Sequence, residues 1–128
     1  MKKLILVLAA ALPFLFTGCK ETKALDGEWK TVSLVQDGET HTNDEAFIGF
    51  ENEMGELKVY GNSGVNLFNG TIKLKNGTVK TDGFASTRMM GPEPEMTFED
   101  KFLEILSYAD SYELNDNILV IKSSSKNG

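Results

Sequence analysis

Four carboxylates lie close together in the C-terminal half of the sequence: Glu93, Glu95, Glu99 and Asp100. A hydrolase with paired carboxylates needs one carboxyl group as a general acid and an ionised partner across a cleft. Acidic side chains are also favoured at the positive N-terminus of a helix, which explains the same residues without a cleft. We favour the helix explanation and predict that the protein is not an enzyme. Hydrolysis by Glu93 or Glu95 is the weaker hypothesis.

The single histidine, His41, lies in a polar run from 39 to 45 that also contains carboxylates. Zinc sites normally use three or four ligands, with several histidines or cysteines at regular spacing. This chain has one histidine and one cysteine, and its serines have no G-x-S-x-G context. We therefore predict a solvated loop at His41, with no metal, no cofactor and no catalytic residue.

The only arginine, Arg88, stands between Thr87 and the pair Met89 and Met90. A guanidinium beside flexible methionines is suited to anchor the carboxylate of a ligand or partner. The alternative, which we favour, pairs Arg88 with an acidic neighbour at the sheet edge and places the methionines in the core.

A glycine-rich corner extends from Gly61 to Gly70, where three glycines are separated by asparagine and serine residues. This composition predicts a tight connection between strands, and it lacks the lysine and following helix of a phosphate loop. With the segment from Ser86 to Gly91, the corner is predicted to form an interaction surface. The residues of that surface are Asn62, Ser63, Asn66, Asn69 and Arg88.

The N-terminus has the pattern of an export signal. Two lysines precede an apolar run from Leu4 to Phe16, which is too short to span a bilayer unaided. The run ends in Phe16-Thr17-Gly18-Cys19, which resembles a bacterial lipobox. We predict a signal peptide at 1–18, lipid on Cys19 and a tether at 19–24; an unprocessed signal anchor or a free thiol is the alternative. Lys20 favours the outer membrane, at its periplasmic or cell-surface face.

Length and charge limit the possible partners. The chain of 128 residues allows one domain, and its only cysteine excludes an intrachain disulfide. Removal of residues 1–18 takes away two lysines and no acidic residue, so the net charge of −6 becomes about −8. Such an acidic protein repels nucleic acid, so the predicted partners are the membrane, through Cys19, and an envelope protein or a small ligand.

Short alternating or apolar runs predict about seven or eight strands. They cover residues 28–35, 46–50, 57–60, 72–75, 78–81, 84–89, 112–114 and 118–121. Asn76-Gly77 predicts a hairpin with a type I′ turn. Trp29 falls on the face opposite Leu34, which indicates a bulge near Lys30 or burial on both faces.

One helix is predicted at about 95–109, with Thr97 and Asp100 resembling a capping box. Its apolar residues recur at helical spacing: Phe98, Phe102, Ile105, Leu106 and Ala109. The predicted fold is α+β and mostly β: a small curved or barrel-like antiparallel sheet with this helix packed on it. The domain covers 25–122, followed by a frayed tail at 123–128.

The order of these segments resembles the META domain of HslJ-like bacterial envelope lipoproteins. The resemblance covers residues 25–122 and rests on Leu25 to Lys30, the glycine corner, Ser86 to Met90, the helix and the last hairpin. The family usually has a cysteine at each of two positions that Val65 and Gly91 occupy here, so a thiol role is excluded. The resemblance implies a stress-associated envelope protein without an established enzymatic reaction.

Two functions follow from the sequence as hypotheses. The first is a non-enzymatic, lipid-anchored envelope protein that binds a partner or supports stress tolerance. The second is a carrier of a small ligand, with a pocket between helix and sheet. The empty volume beneath Phe98, Phe102 and Leu106 distinguishes the two hypotheses. A carrier needs a pocket of about 300 Å³ or more there, whereas the first hypothesis predicts a filled interior.

Overall fold

The computed structural model describes residues 3–10, 25–53, 56–115 and 117–124. Nine strands and one helix lie in this part of the chain. In order they are β1 (Lys3–Ala10), β2 (Gly27–Gln36), β3 (Glu39–His41), β4 (Phe47–Glu53), β5 (Glu56–Asn62), β6 (Leu67–Lys75), β7 (Thr78–Ser86), α1 (Glu93–Ser107), β8 (Ala109–Asn115) and β9 (Ile118–Ser124).

The sheet closes into an antiparallel barrel of eight strands. Neighbouring strands follow the order β1, β9, β8, β7, β6, β5, β4, β2, and the pairing of β1 with β2 closes the circle. The short strand β3 extends the sheet beside the end of β2. The predicted fold class is therefore confirmed, since the chain is mostly β with one helix in the C-terminal half.

Strand β1 comes from the segment that the sequence assigns to a signal peptide. It pairs with β2 from Leu4 opposite Gln36 to Ala10 opposite Trp29, and with β9 along its other edge. Leu8 is completely buried in the core. An apolar run of this length fits both a barrel strand and a leader, so its export role stays a prediction. Cys19 and the tether lie outside the described residues.

Two-residue turns join strands at two hairpins. Asn76 has φ 52° and Gly77 has φ 83°, and positive φ at both central residues is the mark of a type I′ turn. The predicted hairpin between β6 and β7 is therefore confirmed. Asp37 and Gly38, with φ 53° and 83°, make the same turn between β2 and β3.

The irregular pattern of the first predicted strand has its cause in a bulge. Opposite β1, the register of β2 passes from Ser33 to Thr31 and omits Val32, whose side chain is half exposed. The bulge turns the strand so that Trp29 and Leu34 are both buried. It lies two residues beyond the predicted position at Lys30.

Helix α1 begins and ends two residues earlier than predicted. Pro92 is its N-cap residue and forms no side-chain capping bond, so the capping box predicted for Thr97 and Asp100 is wrong. Thr97 lies inside the helix because the chain becomes helical directly after Pro92. The apolar stripe is confirmed as a core face: Phe98, Phe102, Ile105 and Leu106 are buried. Ala109 is buried as the first residue of β8.

The helix packs against the barrel, and the interior beneath it is filled. Phe102 packs edge to face on Phe68 of β6, with ring centres 5.6 Å apart, while Lys101 donates a hydrogen bond to Gln36 of β2. The barrel holds an apolar cavity of about 20 Å³, lined among others by Leu25, Phe50 and Leu106. This volume accommodates about one water molecule.

Candidate functional site

The glycine corner and the helix meet at the buried carboxylate of Glu99. Its Oε1 accepts hydrogen bonds from the Ser63 hydroxyl at 2.6 Å and from the backbone N–H groups of Asn66 at 2.7 Å and Val65 at 3.2 Å. Its Oε2 accepts a bond from the Asn66 side-chain amide at 2.7 Å. A buried carboxylate is stable when hydrogen bonds replace its water. Glu99 therefore fixes the corner to the helix.

Two opposing effects act on the pKa of Glu99. Burial raises the pKa, because it disfavours the charged form. The hydrogen bonds from Ser63, Asn66 and Val65 stabilise the carboxylate and outweigh burial, so the pKa lies below its usual value. A carboxylate held in its ionised form is a hydrogen-bond acceptor and is unsuited to act as a general acid at neutral pH.

Asn66 joins the corner to the segment that follows β7. Its Oδ1 accepts hydrogen bonds from the Thr87 hydroxyl at 2.9 Å and from the Met89 backbone N–H at 2.6 Å. Its Nδ2 donates to the Met89 carbonyl at 3.1 Å as well as to Glu99. We call the side chains of Ser63, Asn66, Thr87 and Glu99 the corner network. All four polar groups lie in one chain of contacts.

The corner network holds a short loop, residues 87–91, which we call the Arg88 loop. Thr87 donates its backbone N–H to the Leu67 carbonyl at 3.0 Å, and its hydroxyl accepts a bond from the Leu67 N–H at 3.1 Å. Two positions later, both backbone polar groups of Met89 are bound to Asn66. The backbone on each side of Arg88 is therefore fixed.

Within the Arg88 loop, the side chains of Arg88, Met89 and Met90 face the solvent. Met89 is 55% exposed and Met90 is 87% exposed, while Leu67 beside them is 56% exposed. Arg88 is also exposed, and it forms no ion pair within the described part of the chain. The favoured expectation of a paired Arg88 and buried methionines was wrong. The reason is that Asn66 binds the Met89 backbone from the inner side, which leaves these side chains on the outer side.

The five residues of the predicted interaction surface separate into two groups. Ser63 and Asn66 are completely or almost completely buried and are occupied within the corner network, so they cannot contact a partner. Asn62 is half-buried, and its Oδ1 accepts a hydrogen bond from the Gly64 N–H. Asn69 and Arg88 are exposed. An interaction role for the three accessible residues stays a prediction.

Val65 and Gly91 face each other across the corner. A Cβ atom placed on Gly91 would lie 3.5 Å from the Cβ of Val65 and 2.8 Å from its Cγ2. The Val65 side chain therefore fills the space that a side chain at position 91 would need. These are the two positions at which the resemblance places cysteines.

The residues that the sequence offers for catalysis or metal binding do not come together in one site. Glu93 is exposed, Glu95 is half-buried and Glu99 alone is buried, so α1 directs them into different environments. His41 lies on β3, where its Nε2 is buried without a hydrogen-bond partner in the described structure. Within the described ranges, no three residues among His, Cys, Asp and Glu are grouped to hold a metal ion.

Glu99 is the important residue that the sequence interpretation missed. The sequence places it at the positive N-terminus of the helix, where acidic residues are favoured. The available signal was its spacing, since Glu99 precedes Phe102 by three residues and Leu106 by seven and so shares their face. A carboxylate on an apolar helix face needs buried donors, and the corner supplies them.

Comparisons with known proteins agree with this architecture. The sequence model of the META domain matches residues 22–127. Among solved structures, an NMR structure of a protein from Burkholderia xenovorans is similar, with a TM-score of 0.59 and 19% identity. The match covers 90% of this chain and 97% of that one, and at this identity it shows the fold alone. No curated protein matches the chain. Within the described residues, no helix has the length and apolar character of a membrane span.

Proposed function

The chain belongs to the META-domain family, and on this premise we propose that it is a non-enzymatic, lipid-anchored protein of the Gram-negative envelope that binds a partner. The anchor is the lipid on Cys19, supported by the apolar leader and the lipobox-like Phe16 to Cys19. Lys20 favours the outer membrane. A role in envelope stress tolerance follows from the resemblance.

The observation that carries the binding role is the exposure of the Arg88 loop over a buried support. An apolar side chain that is 87% exposed, as Met90 is, contributes nothing to the core. A backbone fixed by Asn66 loses little conformational entropy when a partner binds, which favours affinity. The surface therefore consists of Leu67, Arg88, Met89 and Met90.

The chemistry of this surface defines the partner group that it accepts. The exposed Arg88 guanidinium has no carboxylate partner among the residues that the structure describes, so it can form a bidentate pair with a carboxylate of another molecule. The flanking methionines adapt to varied apolar shapes. The preferred partner is thus an envelope protein that presents an acidic residue beside apolar ones.

While β1 is in place, the filled interior argues against the carrier. Its cavity of about 20 Å³ lies far below the roughly 300 Å³ of a small-ligand pocket. Of the three helix residues named for that pocket, Leu106 lines the cavity, while Phe98 and Phe102 are packed against each other with ring centres 5.9 Å apart. We therefore assign the partner contact of this proposal to the Arg88 loop.

Labelled palmitate tests the anchor. The full chain, expressed in a Gram-negative host, should incorporate the label and fractionate with the outer membrane. The Cys19→Ala variant should lose both properties. Label that persists in this variant, or its absence from the unaltered chain, would disprove lipidation at Cys19.

Site-specific photo-crosslinking tests the binding surface. A photoreactive residue at position 90 should give a discrete adduct in cells, whereas the same residue at Lys80, exposed on β7, should not. Charge reversal by Arg88→Glu should remove the adduct, because it repels an acidic partner group. Equal adducts from both positions, or an adduct unaffected by Arg88→Glu, would contradict the proposed surface.

A further inference from the structure

The place of β1 in the barrel has a consequence for the processed protein. On one side β1 pairs with β2 over seven positions, and on the other it pairs with β9 over seven. It is antiparallel to both neighbours. We call the space between β2 and β9 the β1 slot. If residues 1–18 are removed as proposed above, β1 is removed with them and the slot becomes vacant.

A vacant slot leaves two strand edges unpaired. Adjacent strands lie about 4.8 Å apart, so β2 and β9 stand about 10 Å from each other and cannot form direct hydrogen bonds at that distance. Unpaired backbone groups at a strand edge readily accept another strand. The loss of Leu8 also opens a gap in the core, because that side chain is completely buried.

We infer that the β1 slot is a strand-binding site, which the processed protein uses to bind an extended apolar segment of an envelope partner. The inference rests on the proposed removal of the leader. Binding would follow the β-augmentation mode, in which backbone hydrogen bonds give affinity and side-chain pockets give specificity.

The present occupant defines the chemistry of that segment. Its sequence from Lys3 to Ala10 is apolar after the first residue. Leu8 enters the core, whereas the neighbouring Val7 is half-buried, so the two side chains lie on opposite faces of the strand. A suitable partner segment has about seven residues, is apolar, and places a leucine-sized side chain at the position of Leu8.

The tether of the processed chain cannot fill the slot. Residues 19–24 lead directly into Leu25 and β2. To lie antiparallel to β2, the tether would have to reverse direction and then run for seven residues. A segment of six residues is too short for a turn and such a strand, and it contains the charged Lys20, Glu21 and Lys23. The occupant therefore comes from another molecule.

Strand exchange in the full chain tests this inference. The chain is made by cell-free synthesis, with a protease site inserted between Lys20 and Glu21, and is cleaved after folding. The probe is a peptide of residues 1–10 that carries a dansyl group at its C-terminus. Trp29, the only tryptophan, pairs with Ala10, so energy transfer from Trp29 to dansyl reports insertion.

Two variant peptides provide a matched comparison. Leu8→Asn places an amide in the core and should weaken binding at least tenfold, whereas Val7→Asn, on the other face, should weaken it less than threefold. Saturable energy transfer with this order supports the slot. Absence of energy transfer, whether or not the cleaved chain keeps its fold, overturns the inference, and so does equal binding of both variants.

The strand-exchange experiment and the palmitate-labelling experiment can fail independently of each other. Palmitate labelling without strand exchange overturns the strand-binding site and leaves the anchor intact. Strand exchange without palmitate labelling overturns the anchor. It also overturns the strand-binding site, because the leader would then stay in the β1 slot and leave no space for a strand from another molecule.

Discussion

A disulfide between positions 65 and 91 should stabilise the protein strongly. The Cβ of Val65 and a Cβ built on Gly91 are 3.5 Å apart, within the range of about 3.5–4.5 Å found in disulfides. The change is Val65→Cys with Gly91→Cys, made in a Cys19→Ser background so that two thiols are present. Gly91 does not have a positive φ, so its backbone accepts a side chain.

The magnitude follows from the length of the closed loop. A bridge from 65 to 91 encloses about 27 residues, for which the chain-entropy estimate is about 3.5 kcal/mol. For a domain of this size, that corresponds to a rise in Tm of about 10–20 °C. The single change Gly91→Cys should instead destabilise, because its Cβ would lie 2.8 Å from Cγ2 of Val65. The double variant lacks that methyl group.

Thermal unfolding followed by circular dichroism measures the effect, with the oxidised double variant compared before and after reduction by dithiothreitol. Thiol titration confirms the bridge. The reduced double variant and the Cys19→Ser parent serve as controls. Two free thiols in the folded, oxidant-treated protein, or equal Tm values with and without reductant, would refute the corner geometry.

Three further substitutions test the support of the Arg88 loop and the packing of the barrel. Glu99→Gln should destabilise by about 1–3 kcal/mol at neutral pH, since an amide cannot accept all four bonds of Glu99. Folding lowers the pKa of Glu99, so the stabilisation by its carboxylate is present above the unfolded value of 4.5 and is lost as the pH falls through the folded pKa. Urea unfolding at a series of pH values should therefore show that the stability difference between Glu99→Gln and the unaltered protein disappears in acid. A stability difference that does not change with pH would contradict this. Asn66→Ala should lower the free energy of chemical unfolding by about 2–3 kcal/mol, because Asn66 is buried. Asn69→Ala, on the surface, should lower it by less than about 0.5 kcal/mol. Similar losses for the two variants would contradict the assigned roles. Gly49→Ala should lower the free energy of unfolding by about 1–3 kcal/mol, because its Cβ would lie 2.1 Å from Cζ of Tyr60. In a double-mutant cycle, a Tyr60→Ala background should remove most of this loss. Additive losses of stability would exclude the clash.

Features with local causes were predictable from the sequence. The type I′ turn at Asn76-Gly77 depends on two adjacent residues that tolerate positive φ. The buried face of α1 depends on spacing within one helix. Even the bulge in β2 was visible as a break in alternation, although its position at Val32 depends on pairing with β1.

Features that depend on distant partners were not predictable in the same way. Glu99 binds residues 33 to 36 positions away, and no local pattern identifies those donors. The same carboxylate would suit a helix N-terminus, so its burial was missed. The exposure of Met89 and Met90 likewise follows from the position of Asn66, because their apolar character alone favours the core.

The N-terminal segment shows the limit of composition as a guide. An apolar run from Leu4 to Ala10 satisfies the requirements of an export leader and of a buried strand. Whether the segment acts as a leader or stays in the barrel as a strand depends on whether residues 1–18 are removed. Its composition is the same in both cases and cannot distinguish them. Labelling at Cys19 and strand exchange at the β1 slot therefore answer different questions about one segment.

Amide hydrogen exchange in the Arg88 loop, measured by NMR, tests the central claim most directly. The Met89 N–H donates to Oδ1 of Asn66 at 2.6 Å, although the Met89 side chain is 55% exposed. We predict that this amide exchanges much more slowly than the amides of Arg88 and Met90, and that Asn66→Ala removes its protection. Equal and rapid exchange at all three positions in the unaltered protein would contradict the claim that the corner network holds this loop in place.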